Sequence, residues 1–286
     1  MQSVFITLIL LIFCTSSVGA PLTIRHIKPV SSEDTRSEYF VSILKLSLEK
    51  TLTSGPYKLA HAGNKMVQKR AVANLSQGIS IDILWTMTSK ERENILLPIR
   101  IPLLKGLLGH RIFIIKKGNE KLFSSINNIQ DLKKLSAGQG IGWPDTDILK
   151  SNGFKVIESP TYISLFKMLE SKRFDYFPRG VNEPWSEVLQ HKDKNLVVEK
   201  TLLIQYPAPI YFFVKKDNTA LASRVEKGLW LAIEDGSFNK LFQSHPSNKD
   251  IFEKANISNR KIFKVPNPLL SKETPIDNKK LWYSTN

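Results

Sequence analysis

The 286-residue chain has a single cysteine, Cys14, and it lies within the first twenty residues. The rest of the chain therefore has no disulfide, no thiolate nucleophile and no cysteine-bound metal. Histidine is also sparse. His26, His61, His110, His191 and His245 are scattered, and none falls at the spacing of a hydrolytic triad or of a zinc site. No basic run exceeds two residues, although Lys and Arg total 41 against 26 Asp and Glu, with a formal net charge of +15 and a pI near 9.7. Nucleic-acid binders gather such charge into a patch, an arm or a basic helix. Here it is spread along the whole length, as a general field suited to an anionic envelope or an anionic ligand. After the first twenty residues no apolar stretch is long enough to span a membrane. The only glycine-rich loop is not followed by Gly-Lys-Ser/Thr, which excludes a Walker loop.

What is present begins with a leader. Residues 1–20 carry no charge, Val4 to Phe13 is apolar apart from Thr7, and small residues follow up to Ala20. This pattern predicts a secretory signal peptide, cut after Ala20, or after Gly19 because Pro21 disfavours the first choice. Leu11-Ile-Phe-Cys14 has bulky Phe13 where a lipoprotein box needs a small residue, so no lipid anchor is expected. An exported chain without cysteine suits the periplasm. Apolar content of 42% and charged content of 23% are those of an ordinary globular protein, long enough for two lobes.

Periodicity then alternates between strand and helix. Leu22 to Ile27 reads as a strand. Asp34-Thr35 opens a helix whose apolar face is Phe40, Ile43, Leu44 and Leu48, with Tyr39 beside it, either in the core or lining a cleft. A turn at Gly55-Pro56, a strand at Tyr57–Ala60 and a helix over Asn64–Leu75 lead to Ile81-Asp-Ile-Leu-Trp-Thr-Met-Thr-Ser-Lys-Glu-Arg92. That stretch passes from a strand ending at Trp85 through hydroxyls to a helix capped by Ser89. In a β-α-β-α-β pattern ligands sit beyond the carboxyl ends of strands. Backbone N–H groups, Thr86, Thr88 and Arg92 could there converge on an anion. Arg92 and Glu93 also fit the solvated first turn of a helix.

Pro98-Ile-Arg-Ile-Pro102 is extended, and Gly106 and Gly109 supply backbone freedom beyond it. Two similar strands, at Arg111 and at Tyr211, bracket the segment between. Within it, Gly138-Gln-Gly-Ile-Gly-Trp-Pro-Asp-Thr opens a helix, with Trp143, Asp145 and Thr146 at its start. Asp145 fits equally a helix cap and a ligand contact, and Trp143 fits a core anchor or a stacking surface. Arg179 and Glu183 follow the strand after Arg173-Phe-Asp175.

These motifs resemble the type II periplasmic solute-binding proteins, specifically the polar-amino-acid branch known as family 3. That family runs strand, hydroxyl-x-hydroxyl-x-x-Arg, and its Arg holds the ligand carboxylate. Thr86-Met-Thr88 precedes Arg92 here with one residue more. Ile129-Gln-Asp-Leu132, Arg173-Phe-Asp175 and the turn Asp235-Gly-Ser237 are similar to further family segments. Where the family places an acid for the ligand's ammonium, Arg179-Gly180 stands, with Glu183 a little further on.

The resemblance covers most of residues 22–245. It implies an α/β fold of two lobes, each a mixed sheet flanked by helices, joined by two hinge crossings. Its division is lobe 1 over 21–104, lobe 2 over 105–206, a return to lobe 1 over 207–265, and a tail over 266–286. The implied ligand residues are Tyr39, Trp85, Thr86, Thr88 and Arg92 on lobe 1, and Trp143, Asp145, Thr146, Arg179 and Glu183 on lobe 2. No catalytic residue, cofactor or metal is implied. The implied action is hinge closure by a monomer on a small polar ligand, anionic or amino-acid-like, presented to a membrane ABC permease or to a sensor. Two other classes stay open: a dehydratase-like enzyme using Asp145 or Glu183, and a ligand-free module whose cleft is plugged by side chains or by the tail.

Overall fold

The computed structural model describes residues 20–28 and 36–284. The expected leader, apart from Ala20, and the expected helix start at Asp34-Thr35 lie outside these residues. The first lobe begins with β1 (Leu22–His26), α1 (Arg36–Glu49), β2 (Tyr57–His61), α2 (Gln68–Gln77), β3 (Ile83–Met87), α3 (Lys90–Ile95) and β4 (Leu96–Ile99). The second lobe holds β5 (His110–Lys116), α4 (Glu120–Ser124), α5 (Ile129–Lys134), β6 (Ser136–Gly140), α6 (Pro144–Ser151), β7 (Lys155–Ser159), α7 (Tyr162–Glu170), β8 (Tyr176–Gly180), α8 (Pro184–Gln190), β9 (Leu196–Val198) and β10 (Leu202–Gln205). The chain returns with β11 (Ile210–Lys215), α9 (Thr219–Glu234), α10 (Ser237–Ser244) and α11 (Lys249–Glu253), and ends its regular structure with β12 (Lys261–Lys264).

In lobe 1, β11 lies between β3 and β4, antiparallel to both. Its run Ile-Tyr-Phe-Phe-Val is buried on both faces, as a central strand covered by helices requires. Pro98 sits in β4, at the end of that sheet, where a residue without an N–H is tolerated. β1 and β2 pair in parallel. Asp82 N–H donates to Arg25 C=O at 2.8 Å, and the Arg25 guanidinium grips the Asp82 carboxylate at 2.7 Å, which sets β1 beside the start of β3.

Lobe 2 is a mixed sheet in the order β12-β10-β5-β8-β6-β7, with β9 added on β5. β8 and β6 pair only at Tyr176 and Ala137, and Pro178, two residues on, has no N–H to extend that ladder. The carboxyl ends of β3, β6 and β8 therefore lead into α3, α6 and α8, and each connection carries candidate ligand residues.

One boundary is corrected. Residues 207–265 were expected to return wholly to lobe 1, but β12 pairs in parallel with β10 and forms the edge of the lobe-2 sheet. Buried Arg260 pins its entry by donating to the carbonyls of Ala255 (2.7 Å), Glu199 (2.8 Å) and Leu202 (3.0 Å). The tail then passes back to lobe 1, where Leu281 is buried in the core. The two hinge crossings are thus joined by an outward and a return passage of the C-terminal segment. The apolar cores also meet at the hinge. Ile112, Val181 and Leu203 extend the lobe-1 core, and Met87 of β3 and Leu269 of the tail pack with the lobe-2 core.

Candidate ligand site between the lobes

The lobe-1 corner starts where β3 ends. Thr88 N–H donates to Pro209 C=O at 3.0 Å. The Ser89 hydroxyl caps α3 by accepting Arg92 N–H at 3.2 Å. This turn folds the Arg92 side chain back over the strand end. Its guanidinium donates to Thr86 Oγ1 and Met87 C=O, each at 2.7 Å, and to Gln68 Oε1 at 2.6 Å. It also reaches Gly142 C=O of lobe 2 at 3.5 Å, so this side chain spans the two lobes. Burial pulls the Arg92 pKa down to about 10, against the pull of Asp145 and Glu91. Among the described residues no carboxylate lies within ion-pair distance of it. The other buried arginines differ: Arg111 is paired with Asp145, Arg179 with Glu183 and Glu187, and Arg260 with Glu199.

The lobe-2 corner is built on the ends of β6 and β8. Thr146 Oγ1 donates to Gly140 C=O at 2.8 Å and so folds the glycine loop onto the start of α6. Trp143 is the cap residue of that helix, half-buried, and stacks on Phe177. Asp145 accepts from the Tyr206 hydroxyl and lies 2.5 Å from Arg111 Nη2, an ion pair without hydrogen-bond alignment. Burial lowers the Arg111 pKa, but Asp145, Tyr206 and Glu183 outweigh it and hold the group above its ordinary value. Arg179 donates to both oxygens of Glu187 (2.7 and 2.8 Å) and to Glu183 Oε1 (2.7 Å). Its guanidinium carbon sits 4.8 Å from the Phe177 ring centre and 5.3 Å from that of Trp143. Burial opposes this charge too, and the two glutamates overcome it, raising the Arg179 pKa. Glu183 Oε2 accepts Gly180 N–H at 2.6 Å, and Glu187 Oε1 accepts the Tyr162 hydroxyl at 2.7 Å.

The structure brings Thr86 and Arg92 together with the glycine loop next to Trp143, and it joins Asp145, Arg179 and Glu183 into one buried cluster. It does not bring Tyr39 or Trp85 to that place. Tyr39 is fully buried in lobe 1 and donates to Leu103 C=O at 2.6 Å, while Trp85 stacks on Phe40 in the same core. On a strand buried on both faces, Trp85 and Thr86 point to opposite sides, and only the shorter hydroxyl meets Arg92. Thr88 is taken by Glu93, donating to Oε1 at 2.5 Å, and Arg100 holds the other Glu93 oxygen at 2.6 Å. Arg179, counted with the implied ligand residues, is occupied by its own two glutamates, Glu183 and Glu187. Gln68, Arg111, Glu187 and Tyr206 were not among the expected ligand residues, because each reaches the site from a separate element. Gln68 alone sits at a legible position, the first turn of a helix. Two cavities, of about 330 and 410 Å³, open on lobe 1, and neither is lined by Arg92 or the lobe-2 cluster.

No protein-family profile and no curated protein sequence matches the chain. Solved structures do. An ancestral arginine-binding protein bound to arginine aligns at 19% identity over 77% of this chain and 96% of its own, with a TM-score of 0.57. An arginine-specific periplasmic binding protein of Salmonella typhimurium aligns at 13% identity over 77% and 97%, with a TM-score of 0.56. A histidine kinase sensor domain similar to periplasmic binding proteins aligns at 15% identity over 78% and 95%, also with a TM-score of 0.56. At such identities the likeness carries the architecture. The chain has the two-lobed, type II fold of the periplasmic solute-binding proteins, in a sequence-divergent form.

Proposed function

We propose that this protein is an exported solute-binding protein that takes the carboxylate, or a similar anionic group, of a small ligand on Arg92 and holds it between its lobes. One observation supports this reading above the others. Arg92 is a buried guanidinium whose partners among the described residues are all neutral oxygens. Asp145 and Glu91 act on this charge only from a distance. A buried cation with no anion in direct contact is costly, and an arriving anion lowers that cost through charge-assisted, bidentate bonds. Thr86 and Gln68 orient the fork. Gly142 C=O, which Arg92 meets across the cleft, marks the lobe-2 surface that closes over the ligand.

The rest of the ligand is constrained by the lobe-2 cluster. Asp145, Glu183 and Glu187 outnumber Arg111 and Arg179 by one charge. A far end that is neutral or cationic, as in an amino acid, is therefore accepted better than a second anion. The same pairing argues for binding over catalysis, since each of these carboxylates is already committed to an arginine. Micromolar capture needs about 8 kcal/mol net, within reach of one charge-assisted clamp plus buried area. The closed form would be recognised by an ABC permease or by a sensor, and the sensor-domain likeness supports the second partner as well as the first.

The test is thermal unfolding of ligand-stripped protein against amino acids, monocarboxylates, dicarboxylates, phosphorylated compounds and peptides. A ligand at a hundred times its Kd should add about 2.7 kcal/mol. A responding class whose effect disappears in Arg92→Ala supports the reading. A response that survives Arg92→Ala, or none across the panel, overturns it.

A further inference from the structure

The C-terminal segment makes contacts that the two-crossing hinge does not need. From β12, on the lobe-2 edge, the chain runs to Pro266, whose carbonyl accepts from the Asn152 side chain of lobe 2 at 2.9 Å. The next residue, Asn267, donates its side-chain amide to Pro207 C=O, in the second hinge crossing, at 2.7 Å. Pro268 and Leu269 then present both carbonyls to one residue of lobe 1: Lys90 Nζ donates to Pro268 C=O at 3.0 Å, and Lys90 N–H donates to Leu269 C=O at 2.9 Å. Lys90 is the first residue of α3, the six-residue helix that carries Arg92. The Leu269 side chain packs on the lobe-2 core beside Met87 of β3. Further on, the Trp282 ring covers Gly106, where an added Cβ would lie 2.2 Å from it, and Tyr283 N–H donates to Lys105 C=O at 2.8 Å. The segment therefore touches lobe 2, both hinge crossings and the helix bearing Arg92.

We infer that residues 261–283 form a strap that holds the lobes in the closed arrangement and positions the Arg92 helix within it. The span from β12 to Lys90 is only a few residues long, so opening the lobes must break the bonds at Lys90 or pull β12 from its sheet. A short tether of this kind raises the population of the closed state before any ligand arrives. Apparent affinity then rises in proportion to the fraction of molecules already competent to bind. Lys90 is in this account a positioning residue, acting through the helix start and not on the ligand. The ligand side of the inference rests on the function proposed above, whereas the lobe-closure side is independent of it.

The decisive variant is Lys90→Pro. Proline is favoured at the first position of a helix, and Ser89 before it is already extended, so α3 keeps its start. The substitution removes both bonds to the strap and nothing else of the cap. A second variant inserts about ten Gly-Ser residues between Val265 and Pro266, which slackens the tether while every docking residue remains. Nitroxide labels at Lys58→Cys on lobe 1 and Lys155→Cys on lobe 2, with Cys14→Ser, report the inter-lobe distance without ligand. The expected result is a narrow distribution in the parent and a broader, longer one in both variants. Where the panel above yields a ligand, its affinity should fall about threefold or more in both, and the distance distribution should narrow again on saturation. Unchanged distributions in both folded variants would overturn the strap. Broadened distributions with no ligand found would uphold the strap and sink only the binding function.

Discussion

Gly109 and Tyr206 meet where the two hinge crossings pass each other. Tyr206 N–H donates to Gly109 C=O at 3.1 Å, and a Cβ added at Gly109 would stand 1.8 Å from the Tyr206 carbonyl oxygen. No side chain can yield to relieve that contact, because the obstacle is backbone. Gly109→Ala is expected to cost about 3 kcal/mol or more, the upper end of overpacking effects. Thermal unfolding followed by circular dichroism should show a fall of roughly 6–12 °C for a chain of this size. A fall of a degree or less would mean that the two crossings are not in contact in solution.

The lobe-2 charge count makes a sharper statement about ligands than the fold does. Butanoate, 4-aminobutanoate and glutarate share one carboxylate and differ at the far end. With one more acid than arginine in the cluster, glutarate should bind weakest, by about tenfold or more relative to 4-aminobutanoate, since like charges brought together cost several kcal/mol. Calorimetric titration of the three compounds measures this. Equal affinity for glutarate and 4-aminobutanoate would show that the cluster does not face the bound ligand.

Arg179 lies between two glutamates and under three aromatic rings, with its side chain 6% exposed. Arg179→Met strips the positive charge and leaves Glu187 buried without it. The expected loss is about 3–5 kcal/mol in urea unfolding. Adding Glu187→Gln should recover part of that loss, because the uncompensated charge is then gone too. A double variant as unstable as the sum of the singles would contradict the pairing.

His110, at the start of β5, has its Nε2 2.8 Å from the Gln205 side-chain amide nitrogen. Burial pushes its pKa down to about 4, helped by the charge of Arg111 and opposed by the Gly106 carbonyl. The unfolded chain therefore binds a proton near the ordinary value of 6.5, and the folded chain does not until about pH 4. Stability should fall as pH drops through that window, by up to about 3 kcal/mol from this group. A His110→Gln variant should lose that part of the slope in urea unfolding between pH 7 and pH 4. An unchanged slope would show that His110 is solvated and protonates freely.

Much of the molecule was legible in local patterns. The helical spacing of Phe40, Ile43, Leu44 and Leu48, the Ser89 cap and the paired strands at Arg111 and Tyr211 are short-range signals, and the structure shows each element. The Thr86–Arg92 corner was legible for the same reason, since a strand end and a helix start lie next to each other in the chain. Beyond that range the reading weakened. Tyr39 and Trp85 were counted with the ligand residues because an aromatic at a strand end or helix face carries no mark of which side it turns to. Thr88 was counted as free because nothing local shows that Glu93, five residues on, takes its hydroxyl.

By itself, then, the sequence determined the alternation of strands and helices, the corner that carries Arg92, the lack of any cysteine beyond Cys14 and the general positive field. These follow from backbone periodicity, capping and composition, which act over a few residues or over the whole chain. The tertiary structure decided which charges are free. Arg179 and Arg92 look alike in a string of letters, yet one is closed off by Glu183 and Glu187 at the start of α8, and the partners of the other among the described residues are neutral oxygens. It also decided the path of the C-terminal segment. The edge of β10 accepted β12 as a further strand, and this sends the tail back across the hinge to the helix that holds Arg92. Pairing between distant charges and the filling of an open sheet edge depend on where the chain has already been brought, and no local pattern encodes that.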